Sequence, residues 1–208
     1  MFNLPSLTEL ALLLPAILIG LTFHEFAHGW VADRLGDSTA RNQGRLTLNP
    51  IAHIDPMGFL MLILFRFGWA KPVPVNPYNL RMDPAKGMLM VSLAGPAANI
   101  LVALAAALLW RLGIHDLIPY GYGAILLILI IQINVVLAIF NLLPVPPLDG
   151  SKILAGLFPS QAKFIYGMET YGMVILLLLM FTGFIGKVLW PVVNLVVGIF
   201  KFIGGIPY

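Results

Sequence analysis

Two histidines four residues apart, with a glutamate beside the first, occur at His24-Glu25-Phe26-Ala27-His28. On a helix the two imidazoles stand one turn apart on one face and can bind a single metal ion together. Glu25 is then placed to act as the acid/base residue on a water held by that ion. The chain has no cysteine, so neither a thiolate site nor a disulfide framework is available, and a metal must be held by His, Asp or Glu. A catalytic zinc asks for three protein ligands and one open position. By residue type the third ligand can come from His53, Asp55, His115, Asp116, Asp149 or Glu169. The bland alternative is a chance match, or a polar patch between helices. Three ionisable groups within five residues of an apolar helix weigh against it, because each costs about 2.5–3.5 kcal/mol or more at mid-bilayer.

The elements that must position these residues follow from composition. The chain has 208 residues, of which 60% are hydrophobic and 10% charged, and a mean hydropathy of +0.94. An average soluble domain is about 45–50% apolar and about 25% charged. That excludes a soluble globular protein, a disordered protein and a nucleic-acid binder, and a net charge of +3 is too small to indicate an acidic partner. The chain reads as an all-α integral membrane protein whose immediate surroundings are the lipid bilayer. A span needs about 20 apolar residues, which places helices over residues 6–35, 86–112, 121–143 and 166–184. The tail over 188–203, broken by Pro191 and flanked by Lys187 and Lys201, reads as a short span or an interfacial helix. About four to six membrane segments are expected. Met1–Pro5 lacks the positive region of a secretory signal, so the first apolar run is read as a retained helix. No polar linker divides the chain, and residues 1–208 are expected to form one domain.

Residues 36–85 differ from the rest. They carry Arg41, Arg45, Arg66, Lys71 and Arg81 with many Pro, Gly and Asn. Arg45-Leu46-Thr47-Leu48-Asn49-Pro50 alternates like a strand. The apolar run over 59–67 is too short for a helix to span. The prolines of Lys71-Pro72-Val73-Pro74-Val75-Asn76-Pro77 favour extended backbone. A small β-hairpin or re-entrant insertion is therefore expected here, with an edge on which an extended substrate can add as a strand.

Late in the chain, Asn141-Leu142-Leu143-Pro144-Val145-Pro146-Pro147-Leu148-Asp149-Gly150 ends a membrane helix in three prolines and a carboxylate. HExxH on an early helix followed by N-x-x-P-x-P-x-L-D-G on a late one resembles the site-2 protease family of intramembrane zinc metalloproteases. Ser92-Leu93-Ala94-Gly95-Pro96-Ala97-Ala98-Asn99 and Asn49-Pro50-Ile51-Ala52-His53-Ile54-Asp55-Pro56 extend the likeness, which covers roughly residues 8–155. The chain departs from larger members in having no room for a PDZ or CBS domain. The resemblance implies one zinc ion per chain held by His24, His28 and Asp149. It gives Glu25 as the acid/base residue and Asn141 as the residue that orients the substrate or polarises its carbonyl. The implied substrate is the membrane segment of a single-pass membrane protein, cut in regulated intramembrane proteolysis.

Topology constrains that assignment. His28 lies near the end of the first helix and Asp149 just past the third, so they share a side of the membrane only if the 59–67 run does not cross. Lys and Arg mark the cytoplasmic side. In this arrangement Arg34, Arg41, Arg45, Arg66, Lys71, Arg81, Lys86, Lys152 and Lys163 share one side against Arg111 opposite. The N-terminus is thus expected outside and the site toward the cytoplasm, in a cytoplasmic membrane. His53 reads equally as a hydrogen-bonding residue of the insertion or a neighbour of the site, and Asn99 as an interhelical packing residue in preference to a site residue. Trp30, Trp69, Trp110 and Trp190 fit interfacial anchors. The alternative function is a membrane metal-ion transporter using the same His/Asp cluster. A conduit needs ligands strung through the membrane on several helices, whereas these collect at one end.

Overall fold

A computed structural model describes residues 6–65 and 68–207. Met1–Pro5, Arg66, Phe67 and Tyr208 lie outside the described residues, and with them the expectations drawn from Arg66 and the extreme N-terminus. The order of helices is α1 (Leu7–Arg34), α2 (Thr39–Asn42), α3 (Pro56–Phe65), α4 (Pro84–Arg111), α5 (Tyr122–Asn141), α6 (Asp149–Leu157), α7 (Ala162–Gly167), α8 (Glu169–Phe181) and α9 (Phe184–Gly204). The chain is a multi-pass membrane protein: α1, α4, α5 with its preceding turn, and α9 are each long and apolar enough to cross a bilayer.

Local chemistry sets the boundaries of the spans. Ser6 caps α1 in a reciprocal box, its hydroxyl accepting from the Glu9 amide and its own amide donating to the Glu9 carboxylate. Asp83 caps α4 by accepting from the Lys86 amide, with Pro84 in the first turn, where its missing N–H costs nothing. Pro15, Pro96 and Pro191 lie inside α1, α4 and α9, as neighbouring helices permit in a membrane bundle. The core joins small residues of α4 (Ala103, Ala106, Ala107) to Ile131 and Val135 of α5 and to Leu189, Val193 and Val197 of α9. Small side chains on one helix let the others approach closely, which is how membrane helices gain packing without a hydrophobic drive between them.

One expectation about the later helices is revised and another is narrowed. The predicted span over 166–184 is broken: the Pro159–Gly167 and Glu169–Phe181 stretches meet at 74°. The 188–203 tail belongs to α9, which is long and apolar enough to span. Its last turn lies against the end of α4, with the Arg111 guanidinium donating to the Ile203 carbonyl at 3.1 Å. Lys201 therefore sits at the Arg111 end of the bundle, and Lys187 at the other end of α9.

The expected β-hairpin is not borne out by the described residues. Among the described residues there is no strand, only an isolated antiparallel bridge between Ile54 and Ala70. The apolar run forms α3 instead. Asp55 accepts from the Gly58 amide at 2.8 Å and Pro56 opens the helix, a start signal that outweighs the strand-like look of the flanks. The Leu- and Met-rich body favours helix, and helix satisfies its backbone internally in an apolar setting, as an open hairpin cannot. The 45–49 stretch is irregular backbone with a bend at Leu46 and Thr47, and Pro50 opens a short 3-10 helix. The described residues thus offer no strand edge of the kind expected for strand addition.

The remainder of the insertion is tied back to α1 by one buried carboxylate. Asp37 accepts from the amides of Asn76 (2.7 Å) and Thr39 (3.1 Å), the Thr39 hydroxyl and the Asn79 side chain (2.9 Å). The Arg81 amide donates to the Leu35 carbonyl at 2.8 Å. Residues 70–76 are thereby drawn across the end of α1 that carries the histidines.

Candidate active site

His24 and His28 lie on the inward face of α1, both buried. Glycine is required at two places around them. A Cβ on Gly95 of α4 would stand 2.5 Å from His28 Nε2 and 2.6 Å from His24 Cε1, so only glycine lets α4 carry the imidazoles on its surface. At Gly150 a Cβ would collide with the carbonyls of Leu142 and Leu143. Its absence lets α6 start directly under the end of α5. The prolines 144, 146 and 147 stop α5, the Pro146–Pro147 bond is cis, and Asp149 opens α6. That break turns the Asp149 carboxylate back toward α1.

Three donor atoms converge. Asp149 Oδ2 lies 3.1 Å from His24 Nε2 and 3.2 Å from His28 Nε2, and the two Nε2 atoms are 2.9 Å apart.

A hydrogen-bond chain fixes where the protons sit. Asn134 Nδ2 donates to the Ile130 carbonyl at 2.8 Å, which turns its Oδ1 toward Asn99. Asn99 Nδ2 donates to that Oδ1 and to the Gly20 carbonyl, both at 2.9 Å, which turns Asn99 Oδ1 toward His24. His24 Nδ1 lies 2.7 Å from Asn99 Oδ1, and His28 Nδ1 2.7 Å from the Val91 carbonyl. Both partners can only accept, so both imidazoles carry a proton on Nδ1 and, when neutral, present a lone pair at Nε2. Two lone pairs 2.9 Å apart beside a carboxylate repel unless a cation lies among them. A tetrahedral zinc with bonds of about 2.0–2.2 Å sets neighbouring donors about 3.3–3.6 Å apart. The donor set fits a zinc ion, and its spacing of 2.9–3.2 Å is a few tenths of an ångström tighter than that geometry, so binding the ion would move the donors slightly apart.

Glu25 and Asn141 border the same cleft, of about 250 Å³, together with Pro72, Val73, Pro147 and Lys152. Glu25 Oε2 accepts from the Val73 amide at 2.8 Å. Asn141 Nδ2 donates to the Leu137 carbonyl of its own helix at 3.0 Å.

The other candidate ligands stand apart from this cluster among the described residues. His53 is buried, with Nε2 donating to the Thr47 carbonyl at 2.8 Å. Asp55 caps α3. His115 stacks on Trp110 beside Asp116, in the connection between α4 and α5. Glu169 opens α8. Asn99 does more than pack, since it holds His24. Sequence reasoning did not single out Asn134, Val73 or Asp37. An asparagine in an apolar helix, seven residues before Asn141, was a visible signal for the first. A backbone amide and a loop carboxylate give none.

Comparison with known proteins places the chain among metallopeptidases. The sequence model described as Peptidase family M50 matches residues 116–182. "Putative zinc metalloprotease YwhC" of Bacillus subtilis is 42% identical over 185 residues, covering 86% of this chain and 84% of that protein. "Putative zinc metalloprotease Rip2" of Mycobacterium tuberculosis is 31% identical, over 83% of this chain and 70% of that protein. "Putative zinc metalloprotease MJ0611" of Methanocaldococcus jannaschii is 29% identical, over 74% and 75%. No solved structure matches.

Proposed function

The chain belongs to peptidase family M50 and is a membrane-embedded zinc metalloprotease, and from that premise we propose that it hydrolyses peptide bonds within or just beneath the bilayer, in the membrane segment of a single-pass protein. His24, His28 and Asp149 are assigned as ligands of one zinc ion. The observation that carries this reading is the convergence of their three donor atoms, with both Nδ1 protons engaged elsewhere. When bound, zinc supplies Lewis acidity, which lowers the pKa of a water to about 7 and polarises a carbonyl.

The chain's own groups do the rest. Glu25 takes the proton of the attacking water and later returns it to the leaving amine. The Val73 amide fixes Oε2 of that carboxylate, so Oε1 is assigned to the proton. Asn141 releases the Leu137 carbonyl and donates to the substrate carbonyl oxygen as negative charge develops there. A helical substrate hides its carbonyls in i to i−4 bonds, so it unwinds before attack. The N-terminus lies outside and the cleft toward the cytoplasm, in a cytoplasmic membrane. The Lys and Arg residues at the cleft end, against Arg111 and Lys201 opposite, support this orientation. The transporter alternative is not favoured, because the described metal-capable groups form a single cluster.

The test uses purified, zinc-loaded protein in liposomes with a synthetic single-span peptide. Glu25→Gln should keep its zinc and lose cleavage by about 10²-fold or more. His24→Ala and Asp149→Ala should each lose zinc. A full equivalent of zinc surviving both changes refutes the ligand set, and metal flux without cleavage refutes the peptidase.

A further inference from the structure

A second, larger cavity of about 1020 Å³ opens between α1, α3, α5 and α9. It is lined mostly by apolar side chains, with Glu9, Thr22, His53 and Asp55 along α1 and just ahead of α3, and it comes next to the site along α1 and α5. On α1, Leu14, Leu18 and Leu21 line it, and the same face continues one turn on to Glu25. On α5, Phe140 lines it immediately before Asn141.

Two amides interrupt this apolar wall, Gln132 of α5 and Asn194 of α9. Both are exposed, and neither side chain has a hydrogen-bond partner among the described residues. The two helices run antiparallel, because the end of α9 and the start of α5 both lie by the end of α4. Gln132 stands ten residues after Tyr122 and Asn194 ten before Gly204. At 1.5 Å per residue both are about 15 Å in from the same end, near the middle of the bilayer. An amide at that depth is costly unless paired. These two do not pair inside the protein as Asn99 and Asn134 do, so their partner comes from whatever fills the cavity. An acyl chain offers no hydrogen bond there. A polypeptide does, if it carries a polar side chain or an unwound turn at that level.

We propose that Gln132 and Asn194 form a specificity subsite for a substrate membrane segment bearing a hydrogen-bonding residue, such as asparagine, near mid-span. This rests on the reading of the protein as an intramembrane peptidase. Pairing draws the segment into the cavity along α1 and α5, with its next turns directed toward Glu25 and Asn141.

The experiment uses zinc-loaded Glu25→Gln protein in liposomes and two synthetic single-span peptides. They share one leucine–alanine segment and differ only in Asn or Leu at its centre. The Asn peptide should bind about three- to tenfold more tightly, the worth of one or two hydrogen bonds at this depth. Gln132→Leu with Asn194→Leu should abolish that difference, leaving zinc content and binding of the Leu peptide unchanged. Equal binding of the two peptides, or a preference that survives the double substitution, overturns the proposal. Cleavage by the Glu25 protein is read separately. A preference in binding without any cleavage counts against the peptidase and upholds the subsite, whereas cleavage of both peptides with equal binding does the reverse.

Discussion

His24 Nδ1 lies 2.7 Å from Asn99 Oδ1, and that contact decides which nitrogen of the imidazole faces the site. Asn99 cannot turn its amide round, since its Nδ2 is committed to the Gly20 carbonyl and to Asn134. A metal-binding histidine is commonly oriented by a partner on its other nitrogen, and losing that partner typically costs 10–100-fold in metal affinity. Here the partner is a neutral amide on α4, held in turn by α5 and by the backbone of α1 itself.

Asn99→Leu keeps the volume and removes the acceptor. It should weaken zinc binding by about 10–100-fold, measured by competition with a chelator of known affinity. Asn134→Leu should act in the same direction and more weakly, because Asn99 retains the Gly20 carbonyl. Unchanged zinc affinity in Asn99→Leu would show that packing alone orients His24.

Gly95→Ala separates stability from function. Alanine is favoured over glycine in a helix interior by about 1 kcal/mol, so on local grounds α4 should not suffer. The added Cβ, however, would stand 2.5 Å from His28 Nε2 and displace both imidazoles. The variant should insert and fold, with thermal stability little changed when measured in chelator, yet bind substoichiometric zinc. Full zinc occupancy by metal analysis would mean that the helices part enough to admit a methyl group.

Val73→Pro deletes the amide that holds Glu25 and leaves the three proposed ligands untouched. The flanking Pro72 and Pro74 show that the segment already tolerates proline backbone. Zinc content should remain at one equivalent while kcat falls about tenfold or more, as the carboxylate loses its fixed geometry. Cleavage at the unaltered rate would remove Val73 from the machinery.

Asp37 links the insertion to acid stability. Burial alone would raise its pKa, but the donors from Thr39, Asn76 and Asn79 outweigh that and hold the carboxyl below its ordinary 3.8. A depressed folded pKa contributes stability that is complete above the ordinary value and is lost as pH falls through the folded one. Thermal unfolding in detergent should therefore show a loss below about pH 4 that Asp37→Asn lacks. Asp37→Ala, which strands the buried donors, should cost about 1–3 kcal/mol at neutral pH. Identical pH profiles for Asp37→Asn and the unaltered protein would contradict this.

Much of this protein is written in short-range pattern. Composition determined that it lives in a membrane, because 60% hydrophobic residues cannot be hidden in an aqueous fold of this size. The pairing of His24 with His28 depends only on helical pitch, and capping marks at Ser6 and Asp83 lie close to the expected ends of α1 and α4. The late carboxylate entered through likeness to a family, since nothing local to Asp149 says which distant residues it will meet. Residues 36–85 misled, because alternation and proline suggest a strand, whereas the cap at Asp55 and an apolar environment made 56–65 a helix. What tertiary structure alone decided are the contacts between segments far apart in the chain: Asn99 on His24, the Val73 amide on Glu25, Gly95 beneath both imidazoles, and Asp37 gathering the loop. Each depends on how helices cross and how close their backbones come. Those quantities are set by packing summed over the whole bundle, and no stretch of sequence carries them on its own.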